Sequence, residues 1–494
     1  MRKPKISFSF SLLLAVILLC ACQSQPRNVQ TVDERPAIYP DYIDVTIPVD
    51  IAPLDFSMAD DSFSRMDVLV RGNQGGELHV LGDFADFDVD NWHQLLQQNK
   101  GGQLTFTVIA EKDGEWIQYL DFNIHVSTDS LGDWGVTYRR IAPGYEMYGH
   151  MGIYQRSLTS FDEITLIDNG EKHGMCINCH TANHADPEQY VFHVRGENGA
   201  TIIRQQNETV ALAAVNQTLG GTMVYPYWHP AGRYCAFSTN KTSQMFHTSG
   251  KKLVEVYDAS SDVFVYDTQT RQMIGDSLIM KKYWAENCPS FSPDGKWLYF
   301  TTAKRQVYPT DFDKERYSLC RVAFDEATGE LGEHVDTLIS AYQTGKSVSW
   351  PKPSYDGRYI IYSKADYGYF TIWHPEADIW LMDLETGHSR PLEEVNSQRA
   401  ESFPVWSSNG KWFLFTSRRD DGLYSRIYLS SMSEDGKATK PFMLPQHDPK
   451  RYYQLSLYSF NTPGFTHQPV KTDAKTMEQI IRSTERQKTE MVNR

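Results

Sequence analysis

Four stretches in the second half of the chain align with one another without gaps, and an internal repeat limits the possible folds more than any other feature. They are Tyr225-Pro-Tyr-Trp-His-Pro-Ala-Gly-Arg-Tyr-Cys-Ala-Phe-Ser, Cys288-Pro-Ser-Phe-Ser-Pro-Asp-Gly-Lys-Trp-Leu-Tyr-Phe-Thr, Trp350-Pro-Lys-Pro-Ser-Tyr-Asp-Gly-Arg-Tyr-Ile-Ile-Tyr-Ser and Phe403-Pro-Val-Trp-Ser-Ser-Asn-Gly-Lys-Trp-Phe-Leu-Phe-Thr. Their glycines, Gly232, Gly295, Gly357 and Gly410, recur at steps of 63, 62 and 53 residues. Asp-Gly or Asn-Gly before a basic residue and an aromatic run describes a hairpin whose turn requires positive φ. Further apolar runs follow each window, such as Ser261-Asp-Val-Phe-Val-Tyr-Asp and Ala377-Asp-Ile-Trp-Leu-Met-Asp-Leu. Four strands per repeat, arranged radially, make the blade of a β-propeller.

These windows resemble the repeats of TolB-like propeller proteins, a family of the bacterial envelope, over about Tyr225 to Phe465. Four blades follow directly from the windows. One or two more are expected from residues 140–220, with Tyr458 to Phe465 closing the ring, so the expectation is a mainly β chain with a five- or six-bladed propeller over 206–468. Alternating apolar segments over 41–130 predict a β-sandwich-like domain, interrupted by one short helix around Asn91 to Asn99. Residues 131–205 read as a connector. Over 469–494, Met477, Ile480 and Ile481 form a weak helical stripe, so a short helix or frayed tail is expected there.

Arg2, Lys3 and Lys5 precede the apolar run Phe8 to Leu19, which is too short to span a membrane and ends in Cys20-Ala21-Cys22. Residues 1–21 read as a signal peptide, with an uncleaved anchor as the alternative. Ala21-Cys22 resembles the lipobox of bacterial lipoproteins, which implies lipidation of Cys22, a polar tether over 22–40 and an outer-membrane location facing the periplasm. The formal charge of -14 carries no basic cluster, which argues against a nucleic-acid partner.

Between the two β regions stands Met175-Cys176-Ile177-Asn178-Cys179-His180. C-x-x-C-H marks covalent attachment of haem c, in which both thiols bond the porphyrin and the histidine ligates the iron. The spacing suits a turn of helix, so a short helical haem-binding segment is expected, with Cys176 and Cys179 as attachment sites and His180 as the proximal ligand. A zinc site using His180, His184 or His193, a redox pair and a plain disulfide are the competing readings. For the sixth iron position, His193 stands first and His247 second among many His and Met candidates, including Met147, His173 and Met223. Cys235, Cys288 and Cys320 read as buried small hydrophobes, with one pair among them left open.

Signal, haem motif and repeats together resemble a group of exported TolB-like lipoproteins described as cytochrome c-related. That layout implies a membrane-tethered monohaem cytochrome passing single electrons between envelope partners, with the propeller as docking surface. A non-haem TolB-like scaffold, or an accessory of cytochrome assembly, is the alternative. A haem enzyme acting on peroxide or small nitrogen oxides is a third reading and needs an open iron site. No G-x-S-x-G, H-E-x-x-H or P-loop is present to suggest other catalysis.

Overall fold

The computed structural model describes residues 26–143, 149–170, 174–196, 198–206, 208–213, 215–216, 221–471, 474–483 and 485–493. The expected signal peptide and Cys22 lie outside the described residues, as do Met147 and His173.

Six sheets form the propeller, five of them four-stranded and antiparallel and that of blade III extended to six strands. Blade I takes its inner strand, Ser459–Thr466, from the C-terminal region and its other three, Gly135–Ile141, Met151–Ser157 and Glu163–Asp168, from before the repeats. Blade II is Met175–Asn183, Asp186–Gly196, Ala200–Gln205 and Glu208–Ala213. The inner strands of blades III to VI are Gly221–Trp228, Trp284–Phe291, Ser347–Pro353 and Glu401–Trp406. Those of blades IV to VI are packed on both faces by neighbouring blades, so they read as nearly continuous buried runs and not as an alternation.

Each hairpin turn is pinned by side chains that the repeat supplies. The Oγ atoms of Ser292, Ser354 and Ser407 accept the N–H of Trp297, Tyr359 and Trp412 at 3.0, 2.9 and 3.0 Å, while the turn glycines lie at φ 72°, 73° and 66°. In blade III His229 takes this place. Its Nδ1 accepts from Ala231 N at 3.2 Å, and its Nε2 donates to Gly295 O of the next blade at 3.1 Å, so it serves as a turn residue.

The N-terminal domain holds one seven-stranded sheet and a separate two-stranded one. Helix Val89–Gln98 buries Trp92, Leu95 and Leu96 against the larger sheet, its start capped by the Asp88 carboxylate. The residues read as a tether join the fold: Gln30–Thr31 pairs in parallel with Glu115–Gln118, and Ile38–Tyr39 pairs with Ser57–Met58. The domain grips the turn face of blade VI, where Ser130 O accepts from Asn409 Nδ2 at 2.8 Å and from Trp412 Nε1 at 3.1 Å. At the other end, helix Ala474–Arg482 buries Met477 and Ile481 on blades I and II, and Glu490–Asn493 then adds in parallel to the outer edge of blade III. The C-terminal segment is a strap along three blades, not a frayed tail.

The C-x-x-C-H segment is not helical. It lies in the inner strand of blade II, hydrogen-bonded to Asp186–Gly196, because that strand completes the ring. The expected helical haem-binding segment is therefore replaced by a β-strand.

Candidate functional site

One irregularity recurs in all six inner strands. Cys179, Tyr225, Cys288, Trp350, Phe403 and Thr462 have φ of 48°, 51°, 49°, 56°, 53° and 45°, and the ladder shifts register around each. In five blades the next residue is proline, which has no N–H to leave unpaired at a break in the ladder. In blade II it is His180. The haem motif's Cys179-His180 thus holds the place of Cys288-Pro289 in blade IV. The match extends one residue back: Asn178 Oδ1 accepts the N–H of Cys179 at 2.8 Å, as Asn287 Oδ1 accepts that of Cys288 at 3.0 Å.

The six positions line an axial pocket of about 70 Å³ that includes Cys179, His180, Cys288, Trp350 and Lys352. Burial pushes the Cys179 thiol up, away from the thiolate that zinc or disulfide exchange requires. Burial also pushes His180 down to about 4. Its ring lies 6.1 Å from Tyr190, and neither ring nitrogen has a hydrogen-bond partner of ordinary geometry, the backbone of Thr137 being the polar group toward it.

Cys176 lines a different space. This second cavity, of about 340 Å³, opens on the propeller face opposite the hairpin turns. Arg139 Nη2 lies 3.2 Å from Cys176 Sγ and 3.3 Å from Met151 Sδ. A haem c needs both thiols and the imidazole around one macrocycle, whereas here one thiol lines the outer cavity and the other, with His180, lines the axial pocket. The two spaces adjoin at Tyr225, which lines both.

The expected distal ligands lie away from His180. His193 is buried on the second strand of blade II, with Nδ1 2.8 Å from Thr201 Oγ1. Tyr190, beside His180, packs with blade I, whereas Val191, on the face His193 shares, packs with blade III. His180 and His193 therefore occupy opposite faces of the sheet. His247 stands at the tip of the long blade III hairpin, 4.0 Å from Glu255. Cys176, Cys179, Cys235, Cys288 and Cys320 are all buried free thiols, so no pair forms among them. Among the described residues, the one group of three or more His, Cys, Asp or Glu close enough to share an ion is Asp55, Asp86 and His447, at the seam of the two domains.

Sequence reasoning missed the arginines of the outer cavity, which are scattered over blades I, II and VI. It also missed the ring, although Asn178-Cys179 and Asn287-Cys288 were a visible signal of it.

No protein-family model matches the chain, and no curated protein matches it. Similar solved structures include an oligogalacturonate lyase in complex with manganese, 13% identical over 61% of this chain and 72% of that one, with TM-score 0.34. Another is prolyl oligopeptidase B from Galerina marginata bound to a 25mer macrocyclization substrate, at 12% over 61% and 43%, TM-score 0.35. A puromycin-hydrolyzing peptidase from Mycobacterium tuberculosis matches at 12% over 70% and 52%, TM-score 0.36. The chain spans about half the length of these two peptidases. What those proteins bind or cleave is theirs alone.

Proposed function

We propose that this chain is a non-haem, TolB-like binding scaffold, exported and lipid-anchored through Cys22, that receives its ligand at the propeller face opposite the hairpin turns. One observation carries the reading: Cys179-His180 occupies a ring position that X-Pro fills in five other blades, which gives the motif a folding role that needs no iron. The cavity supplies the rest, since it is the open concavity at the axis and both aromatic and polar groups line it.

The membrane-tethered monohaem cytochrome is the second reading. It is favoured by the C-x-x-C-H spacing and by the unpartnered ring nitrogens of His180. Its partners are envelope redox proteins, and it requires the inner strand of blade II to leave the ring. Production in cells with a cytochrome c maturation apparatus, followed by haem staining of a denaturing gel, decides between the two. The scaffold reading expects no stained band. A band that disappears in the Cys176→Ser, Cys179→Ser double variant overturns it.

A further inference from the structure

The outer cavity contains three guanidinium groups and, among the described residues, no carboxylate. Arg139, Arg195 and Arg418 line it, from blades I, II and VI. Arg139 is 7% exposed and Arg418 3%. The neighbours of Arg139 Nη2 are two sulfur atoms, and its Nε has no partner. Arg195 leaves both Nε and Nη2 buried without a partner. Arg418 gives Nη1 to the Leu423 carbonyl and lies 3.4 Å over the Trp373 ring, but its Nε is likewise unpartnered.

Burying a charge without a counter-ion is costly, and a chain with 62 acidic against 48 basic residues has carboxylates to spare for pairing. Elsewhere in the molecule that pairing is made, as between Arg419 and Glu401 at 3.1 Å or Arg233 and Asp267 at 2.7 Å. Among the described residues, none of the three arginines around the open cavity forms an ion pair, since Asp258 acts on Arg195 and Asp421 on Arg418 only from beyond contact distance, so the cluster keeps donors for an anion. Guanidinium forks match the paired oxygens of carboxylate and phosphate.

We propose that this cavity binds a small organic anion carrying at least two carboxylate or phosphate groups, held by Arg139, Arg195 and Arg418. The arginines come from three different blades, and together they offer more guanidinium donors than the two oxygens of one carboxylate accept. Phe246, Phe370 and Trp373 supply an apolar wall for the body that joins the charges. This assignment names the ligand class for the scaffold reading above and rests on it.

Citrate and inorganic pyrophosphate serve as probes, titrated separately into the purified mature chain by calorimetry and by tryptophan fluorescence, with acetate and sucrose as controls. Saturable binding of citrate assigns a carboxylate ligand, and of pyrophosphate a phosphate ligand. Either should weaken at least tenfold in Arg195→Gln and in Arg418→Gln and fall with added salt. Arg195→Lys, which retains the charge and loses the fork, should bind with intermediate strength and guards against a folding defect in the Gln variant. Absence of saturable binding by both probes overturns the proposal, as does binding that both Gln variants retain. The titration uses protein shown to be free of haem. A stained band therefore refutes the non-haem reading, while a null titration on unstained protein refutes the anion assignment alone.

Discussion

At the residue scale, the Cys179-His180 end of the C-x-x-C-H motif stands where the other five blades place X-Pro. A non-glycine residue at positive φ costs about 1–2 kcal/mol, and six such residues persist because the closed ring dictates the same backbone at each inner strand. The equivalence gives a direct test at His180. If that position is the proline slot of blade II, His180→Pro should fold, stay soluble and change stability by no more than about 1 kcal/mol, read from denaturant midpoints. An insoluble or unfolded variant would refute the equivalence. The residue identities alone pointed elsewhere, because C-x-x-C-H specifies spacing and not backbone conformation. Blade II also lacks the turn glycine that betrays the other repeats: His184 and Ala185 adopt φ of 46° and 65° there without one.

At the element scale, the repeats were legible because turn chemistry and aromatic strands obey local rules, whereas the closing of the ring was legible only as a run of suitable length at Tyr458 to Phe465. The helix of the N-terminal domain was readable for the same local reason. The division into a seven-stranded and a two-stranded sheet was not, since alternating strands look alike whether a helix or a second sheet covers them. The long hairpin of blade III shows what length alone cannot tell. Its strands Tyr234–Phe246 and Val254–Asp267 run past the blade and lean over the arginine cavity. A latch holds them to the loop of blade V: Tyr367 donates to Glu255 Oε1 at 2.6 Å, His374 Nε2 lies 3.2 Å from Glu255 Oε2, and Lys252 lies 2.6 Å from Glu376. Burial works against charge on His374, but its bonds to Glu255 and Glu376 carry the imidazole above its ordinary 6.5. Burial likewise opposes the Glu255 carboxylate, and its bonds to His374 and Tyr367 bring it below its ordinary 4.5. The histidine's contribution is complete below 6.5 and is lost as pH rises through its raised value. That of the glutamate is complete above 4.5 and is lost on acidification. The latch is therefore strongest between about pH 4.5 and 6.5. Glu255→Gln should speed hydrogen exchange over 242–256 by about tenfold within that window, a loss of roughly 1–2 kcal/mol, and leave the inner strand of blade VI unchanged. Equal protection in wild type and variant would dismiss the latch.

At the scale of the whole molecule, domain and propeller share one continuous core that runs from Val68 and Phe106 to Trp412 and Phe442, so the two do not behave as beads on a string. No composition or periodicity reveals such a seam, because it is made by loops from distant parts of the chain. A titratable group lies within it. Asp55 of the N-terminal domain is wholly buried, accepts the N–H of Phe87 at 3.1 Å and faces His447 at 3.2 Å. Burial raises its carboxyl from 3.8 to about 8; the Phe87 N–H opposes this, and the charges of Asp86 and Asp448 add to the rise. A carboxyl raised on folding takes up a proton, so its contribution to stability is complete below pH 3.8 and is lost as pH rises through 8. The docked arrangement should therefore weaken between pH 5 and pH 8. Asp55→Asn keeps the acceptor for Phe87 and removes the titration, so its urea midpoint should be nearly the same at both pH values, while that of the wild type falls. His447 and the exposed acids around it are unchanged in the variant, so a wild-type slope that persists in Asp55→Asn would place the pH dependence with them and not with the buried carboxyl.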